Sequence, residues 1–417
     1  MSRVVVTLLG IVVATAGLYR WLNYLPSGRP RQRKIRSSVI VGVSASVLLL
    51  VQVLWAVITA QFGWPGLVLL LVLGIASVVA LATIEIALRK GGVQPSLARS
   101  MWEVSWAEWR ARESLRDADY ATPEFHQAYL RHYANFKVRS VDGVLYPTAS
   151  DTGPITLTNG LRTTLPRSFS PEMRIIVFGG STTFCAEVPD ELTWPSQLQE
   201  MLNREGPSAV VENHSFSGAT VISLAPRLVA SSPRPGDVVV FYVGINEVAH
   251  QLLSSARHRR GIARLPGADR ALEVLNQRLS LGLWIQRATV RTTWHLKTDG
   301  LERLGRVLDE VETECRTRGA SLHLILQPWI VDRHSPTSGD RIILDEFPVG
   351  HVDALARGME LLRATLRSRP AAHVAAEIFN DDSVTPFIDL FHVNARGNQL
   401  IARYVHDILR ESLRIGR

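Results

Sequence analysis

The sequence predicts an α/β protein whose core is a parallel sheet with helices on both faces, and two observations carry that prediction. After Met173, short apolar runs at 174–178, 209–212, 237–243 and 321–326 alternate with segments of helical length. Within those segments apolar residues return every three or four positions: Leu301, Leu304, Val307, Leu308, Val311 and Cys315 share one helical face, and Leu400, Ile401, Tyr404, Val405, Ile408 and Leu409 share another. Apolar strands alternating with amphipathic helices bury both faces of a parallel sheet. A third observation separates the rest of the chain: nearly all the long apolar runs lie before Arg89. The 417 residues therefore divide into a membrane region at 1–90, a linker and lead-in at 91–170, and one α/β domain at 171–417.

Taken in order, the apolar stretches 4–25, 38–60 and 64–88 predict about three transmembrane helices, because within lipid only helical backbone can satisfy such a segment's hydrogen bonds. Tyr19, Trp21 and Tyr24 extend the short first run to the headgroups. Arg20, Arg29, Arg31, Arg33, Lys34 and Arg36 follow the first stretch and Arg89-Lys90 closes the third, whereas Gln61-Phe62-Gly63 is uncharged. Cationic loops resist translocation, so the pattern places the N-terminus outside and the C-terminal domain on the cytoplasmic side of a cell membrane. In the competing reading residues 1–16 are a signal sequence, with Arg3, an apolar stretch and Ala14-Thr15-Ala16 as its three regions, and the domain faces outward. Glu85 fits a snorkelling or interfacial role.

In the lead-in, residues 97–135 are charged and aromatic, and Trp102, Trp106 and Trp109 recur at helix-like spacings. Amphipathic packing on the domain or at the bilayer surface suits them better than a ligand platform. Residues 138–165, with Gly143, Pro147, Gly153, Pro154 and Asn159-Gly160, read as short strands and turns.

The formal net charge of +8 comes in good part from the arginines beside the apolar spans, and no aromatic-interleaved basic stripe accompanies it, which argues against a nucleic-acid partner. Two cysteines, Cys185 and Cys315, make no disulfide framework and read as isolated thiols in or near the core.

Chemistry concentrates in four scattered segments: Gly179-Gly180-Ser181-Thr182-Thr183, residues 213–218, Gly244-Ile245-Asn246-Glu247, and Asp389-Leu390-Phe391-His392. Singly they are bland. Ser-Thr-Thr after a strand is an ordinary helix cap, Asn246 a turn residue, and Asp389 with His392 a surface pair or another cap. Together they hold a hydroxyl, a base, a carboxylate to orient the base, and donors for an oxyanion. Ser181, Gly218 and Asn246 each follow a predicted strand, and in a parallel sheet the loops at the strands' carboxyl ends converge.

At these residues the chain resembles the SGNH/GDSL hydrolase family. That family's Gly-Asp-Ser-like turn matches Gly179-Gly180-Ser181, its second block matches Gly218, its Gly-x-Asn-Asp block matches Gly244 to Glu247, and its Asp-x-x-His block matches Asp389 and His392. Gly180 stands where the family has Asp, and Glu247 stands in place of the Asp after Asn. The resemblance covers roughly Met173 to the C-terminus and implies a three-layer α/β/α fold. It also implies Ser181 as nucleophile, His392 as base and Asp389 as its orienting carboxylate. The oxyanion would be received by the N–H groups of Ser181 and Gly218 and the amide of Asn246, with no metal or cofactor. Sequences similar to this one often carry an Asn-Gly-x-Arg lead-in, here Asn159-Gly160-Leu161-Arg162.

The activity so implied is an esterase removing acetyl or other acyl groups from a glycan, glycolipid or lipid-like ester, with envelope-biosynthesis proteins as partners. An O-acyltransferase with the same triad is the alternative, and a non-catalytic membrane scaffold or glycan-binding protein is a third. Gln327 and Trp329, after the strand at 321–326, are candidate pocket-lining residues together with Glu247, set against simple packing. Residues 256–264, carrying Arg257, His258, Arg259, Arg260 and Arg264, form either a solvated loop or a lid touching anions or lipid headgroups. His214, His250, His323 and His334 read as structural or solvent-facing, and Cys185 lacks a base of its own.

Overall fold

The computed structural model describes residues 82–84, 86, 106–148, 153–166, 173–205, 209–259, 290–347, 350–381 and 383–415. The expected spans 4–25 and 38–60, the signal-sequence alternative, Trp102 and most of 256–264 lie outside the described residues, and 64–88 is described only at 82–84 and 86, which are helical. Among the described residues no helix is long and apolar enough to cross a membrane. Contacts divide the chain into two compact units, Met1–Pro95 with Glu273–Trp284, and Ser96–Leu272 with Ile285–Arg417. All the elements that follow belong to the second.

Two helices, α1 (Trp106–Arg110) and α2 (Pro123–Asn135), come first, the latter capped by the Thr122 hydroxyl. Two short hairpins follow: β1 (Val138–Val141) with β2 (Val144–Pro147), and β3 (Leu157–Thr158) with β4 (Leu161–Arg162). The domain proper runs β5 (Met173–Gly179), α3 (Ser181–Phe184), α4 (Trp194–Glu205), β6 (Ala209–Asn213), α5 (Val221–Ser231) and β7 (Val238–Val243). An antiparallel arm of β8 (Leu253–Arg259) and β9 (Val290–Leu296) precedes α6 (Thr298–Arg318) and β10 (Ser321–Leu326). Helices α7 (Ser338–Asp345) and α8 (His351–Arg367), strand β11 (Ala372–Val374) and α9 (Ala395–Ile415) complete the chain.

Seven strands form the main sheet in the order β11-β10-β7-β5-β6-β4-β3. The first five are parallel, as the alternation predicts, but the sheet is mixed: β4 pairs antiparallel with β6 through Arg162 and Asn213, and β3 pairs antiparallel with β4. The cause lies in Asn159-Gly160, whose φ values of 54° and 75° suit a two-residue hairpin turn that needs positive φ at both positions. That turn folds the lead-in back along the edge that β6 would otherwise expose.

Strands β6 and β7 lie on either side of β5, so the chain reverses direction across the sheet there, and loops leaving the carboxyl ends of all three strands meet. Right-handed crossovers then put α4 on one face and α5 on the other. In keeping with this, α4 packs with α9 and α5 with α6. All six residues of β7 are buried, and the rings of Phe178 and Phe241 stack at 4.8 Å across the β5–β7 pair. A second, smaller core of Trp109, Leu115, Phe125, Tyr129, Ile155, Phe184 and Ile388 lies among the lead-in and the site loops. Trp109 is fully buried there. This is the packing role on the domain; neither a ligand platform nor the bilayer surface engages it.

Candidate active site

Strand β5 delivers Ser181 to the first position of a one-turn helix, just past Gly180. The opening N–H groups of such a turn have no intrahelical acceptor, so the turn presents both a hydroxyl and an amide. Imidazole Nε2 of His392 lies 2.8 Å from Ser181 Oγ, and Nδ1 lies 2.6 Å from Asp389 Oδ2. The other Asp389 oxygen accepts the N–H groups of Phe391 at 2.9 Å and His392 at 2.7 Å. A carboxylate so held makes Nδ1 the donor, so that in the neutral imidazole Nε2 is the nitrogen that accepts the serine proton.

Burial alone raises a carboxyl pKa, yet Asp389 is held below its ordinary value because the neighbouring His392 and the two backbone donors outweigh burial. Burial likewise depresses an imidazole, but the carboxylates of Asp389 and then Glu187 overcome it and lift His392 to about 9.

Asn246, just past β7, donates from Nδ2 to the Ala219 carbonyl at 2.9 Å. The same amide presses against Gly180, where an added Cβ would stand 2.1 Å from Nδ2. With the Asn246 amide in this place, position 180 has no room for a side chain. Gly218 is exposed in the same loop, one residue before Ala219, with φ at 81°. Asn213 anchors that loop by donating to the Thr183 carbonyl at 3.1 Å and accepting Ser215 N–H at 3.2 Å.

Contacts thus join Ser181, His392 and Asp389 in one chain, and bring Asn246 against Gly180 and the loop of Gly218. The three candidate lining residues adjoin these turns but are buried. Gln327 is 3 %, Trp329 2 % and Glu247 3 % exposed. Trp329 packs in the main core, and Gln327 accepts the Thr182 hydroxyl at 3.1 Å beneath the nucleophile turn. Glu247 is a clamp: its two oxygens accept Gly244 N–H at 2.7 Å and Val221 N–H at 2.9 Å, tying the Asn246 turn to the start of α5. Their position at the strands' carboxyl edge is as expected, but burial turns them inward.

His214 is structural, set between Arg227 and Glu212, and His323 lies 3.1 Å from His373. Cys185 is buried with its thiol turned to the Thr182 carbonyl, and burial pushes its pKa up, away from reactivity.

Sequence reasoning passed over Glu187. Its carboxylate is buried, accepts the Tyr133 hydroxyl at 3.2 Å and stands 3.9 Å from His392 Nε2. The available signal was a lone acid inside the apolar run Phe184-Cys185-Ala186-Glu187-Val188. Arg162 of the Asn-Gly-x-Arg lead-in holds that run, donating to the carbonyls of Phe184 at 3.1 Å and Val188 at 3.2 Å while pairing with Asp190.

No family model and no curated protein matches the chain. Among solved structures it is similar to an acetyl xylan esterase, with 16 % identity over 57 % of this chain and 99 % of that one and a TM-score of 0.35. It is also similar to a G-D-S-L family lipolytic protein from Veillonella parvula, with 14 % identity, 57 % and 97 % coverage and a TM-score of 0.33. An acetyl xylan esterase from Geobacillus stearothermophilus gives 15 % identity, 59 % and 97 % coverage and a TM-score of 0.35. At these values the chemical reading stands on the side chains of the site.

Proposed function

We propose that the chain is a serine carboxylic ester hydrolase of SGNH/GDSL type, acting on acyl groups, acetyl foremost, carried by a glycan or glycolipid. One observation carries it: an unbroken hydrogen-bond chain from Ser181 Oγ through both nitrogens of His392 to the buried carboxylate of Asp389.

As Ser181 Oγ attacks the ester carbonyl carbon, its proton passes to Nε2 and the carbonyl electron pair moves to oxygen. The Ser181 N–H and the Asn246 amide, with the Gly218 N–H, receive that oxyanion. Asp389 holds the tautomer and stabilises the imidazolium, which then protonates the departing alkoxide. Water activated by the same imidazole releases the acid. Transfer to a sugar hydroxyl would use the same acyl-enzyme and leave an acylated oligosaccharide in place of free acid.

The purified full-length protein should hydrolyse p-nitrophenyl acetate and take up a fluorophosphonate probe at Ser181. Ser181→Ala should abolish labelling and lower turnover by about 10⁶-fold with the fold retained. Equal inertness of wild type and variant toward esters of several acyl lengths would sink the proposal. The arginine pattern beside the apolar stretches supports attachment to the cell membrane with this domain on the cytoplasmic side; a reporter fused after Arg417 and found outside the cell would reverse that orientation.

A further inference from the structure

Asp389 reaches the imidazole at Nδ1, and the triad needs no other acid. Glu187 nevertheless lies at the opposite edge, its Oε1 3.9 Å from Nε2, so that His392 has a carboxylate beside each ring nitrogen. The loop is built to keep it there. One guanidinium, that of Arg162, fastens the backbone on both sides of Glu187 at Phe184 and Val188, and the Tyr133 hydroxyl of α2 holds the carboxylate itself.

A buried carboxylate is costly unless a cation or donors compensate it. The groups facing Glu187 are Tyr133, Tyr129 and Tyr120 from the lead-in, Arg162 from β4, Cys185 from its own loop, and Asp389 and His392 from the last site loop. The phenols are neutral, Asp389 repels, and Arg162 is engaged by Asp190 and two backbone carbonyls. His392 is the cation that can form and vanish within the catalytic cycle.

We infer that Glu187 is a positioning residue for the serine-activating step: held by Tyr133 at the Nε2 edge, its carboxylate shares with Asp389 the stabilisation of the His392 imidazolium. This rests on the serine-hydrolase reading. When the Ser181 proton arrives at Nε2, the new N–H cation stands next to an acid fixed in advance, and the charge is lost again when the leaving alkoxide takes the proton. The same contact favours the imidazolium in the resting enzyme. Serine activation then needs alkaline conditions, in keeping with His392 at about 9; burial pushes the Glu187 carboxyl upward, and the His392 charge opposes that shift.

The test is the pH dependence of fluorophosphonate labelling of the full-length protein. Labelling of wild type should rise with pH up to about 9. In Glu187→Gln the midpoint of that rise should fall by about one to two pH units. Tyr133→Phe, which makes the charged carboxylate harder to keep, should shift the midpoint the same way by less, and Glu187→Asp should restore most of the wild-type value. A midpoint identical in wild type and Glu187→Gln overturns the inference, because a merely structural carboxylate alters stability and yield but not the titration. If Glu187→Gln cannot be recovered folded, an unshifted Tyr133→Phe overturns it instead. Absence of Ser181-dependent labelling in wild type defeats the hydrolase reading and this inference with it, whereas labelling with unmoved midpoints defeats the inference alone.

Discussion

The two cores of the domain are made differently and hold different things. The larger is mainly aliphatic and regular: β5, β7 and β10 supply Ile175, Val177, Val239, Phe241, Leu324 and Leu326, and helix faces such as Leu304, Leu308 and Val311 cover them. It fixes where the strands end, and so where Ser181 and Asn246 emerge. The smaller core is aromatic and irregular, assembled from Trp109, Phe125 and Tyr129 of the lead-in helices, Ile155, Phe184 of the nucleophile turn and Ile388 beside Asp389. It fixes the loops that carry Glu187 and Asp389. The contrast teaches that one core sets the position of the chemistry and the other its electrostatic surroundings.

Removing the guanidinium that lies over Phe184 of the smaller core should show the division most plainly. Arg162→Met strands Asp190 without its buried partner and should cost about 3–5 kcal/mol in a denaturant titration. It should also slow fluorophosphonate labelling per folded molecule, since the 184–188 loop loses its anchor. Leu324→Ala in the larger core should cost a comparable amount, about 2–5 kcal/mol, while labelling per folded molecule stays near wild type. Equal effects of the two on labelling would erase the distinction.

Gly180→Ala sharpens the same comparison at the boundary of the two. A methyl group there drives the Asn246 amide from its place, so turnover should fall by about 10²-fold while the unfolding midpoint changes little. The smallest effect concerns Glu247, whose carboxyl burial lifts from 4.5 to about 7 despite its backbone donors. A raised folded-state pKa favours the native state most below about 4.5, and that contribution disappears as pH rises through about 7. Glu247→Gln should therefore flatten the thermal midpoint between pH 4.5 and 7.

How far the sequence was legible follows the same line. Repeating apolar positions revealed four of the five parallel strands, β5, β6, β7 and β10, and the faces of α6 and α9, because a period is a local property; the three-residue β11 is too short to show one. Ser181 and Asn246 stood at the ends of those strands, whereas Asp389 and His392 stand at the end of none of them and were found through the resemblance of their block to the Asp-x-x-His of the SGNH/GDSL family. What periodicity could not reveal was the antiparallel edge, which follows from the two positive φ angles at Asn159 and Gly160. Nor could it reveal the depth at which Gln327, Trp329 and Glu247 sit. Glu187 and Arg162 were hardest, since they meet through an irregular aromatic core whose members lie between positions 109 and 388 and share no repeat.

One consequence concerns how this protein could be divided. Tyr133 and Arg162 both precede Met173, so a version starting at residue 171 would retain every member of the triad while losing the hydroxyl and the guanidinium that prepare their surroundings. Such a fragment would be a nucleophile without its tuning, and any evolutionary or engineered transplant of this site has to carry the preceding helix and hairpin along.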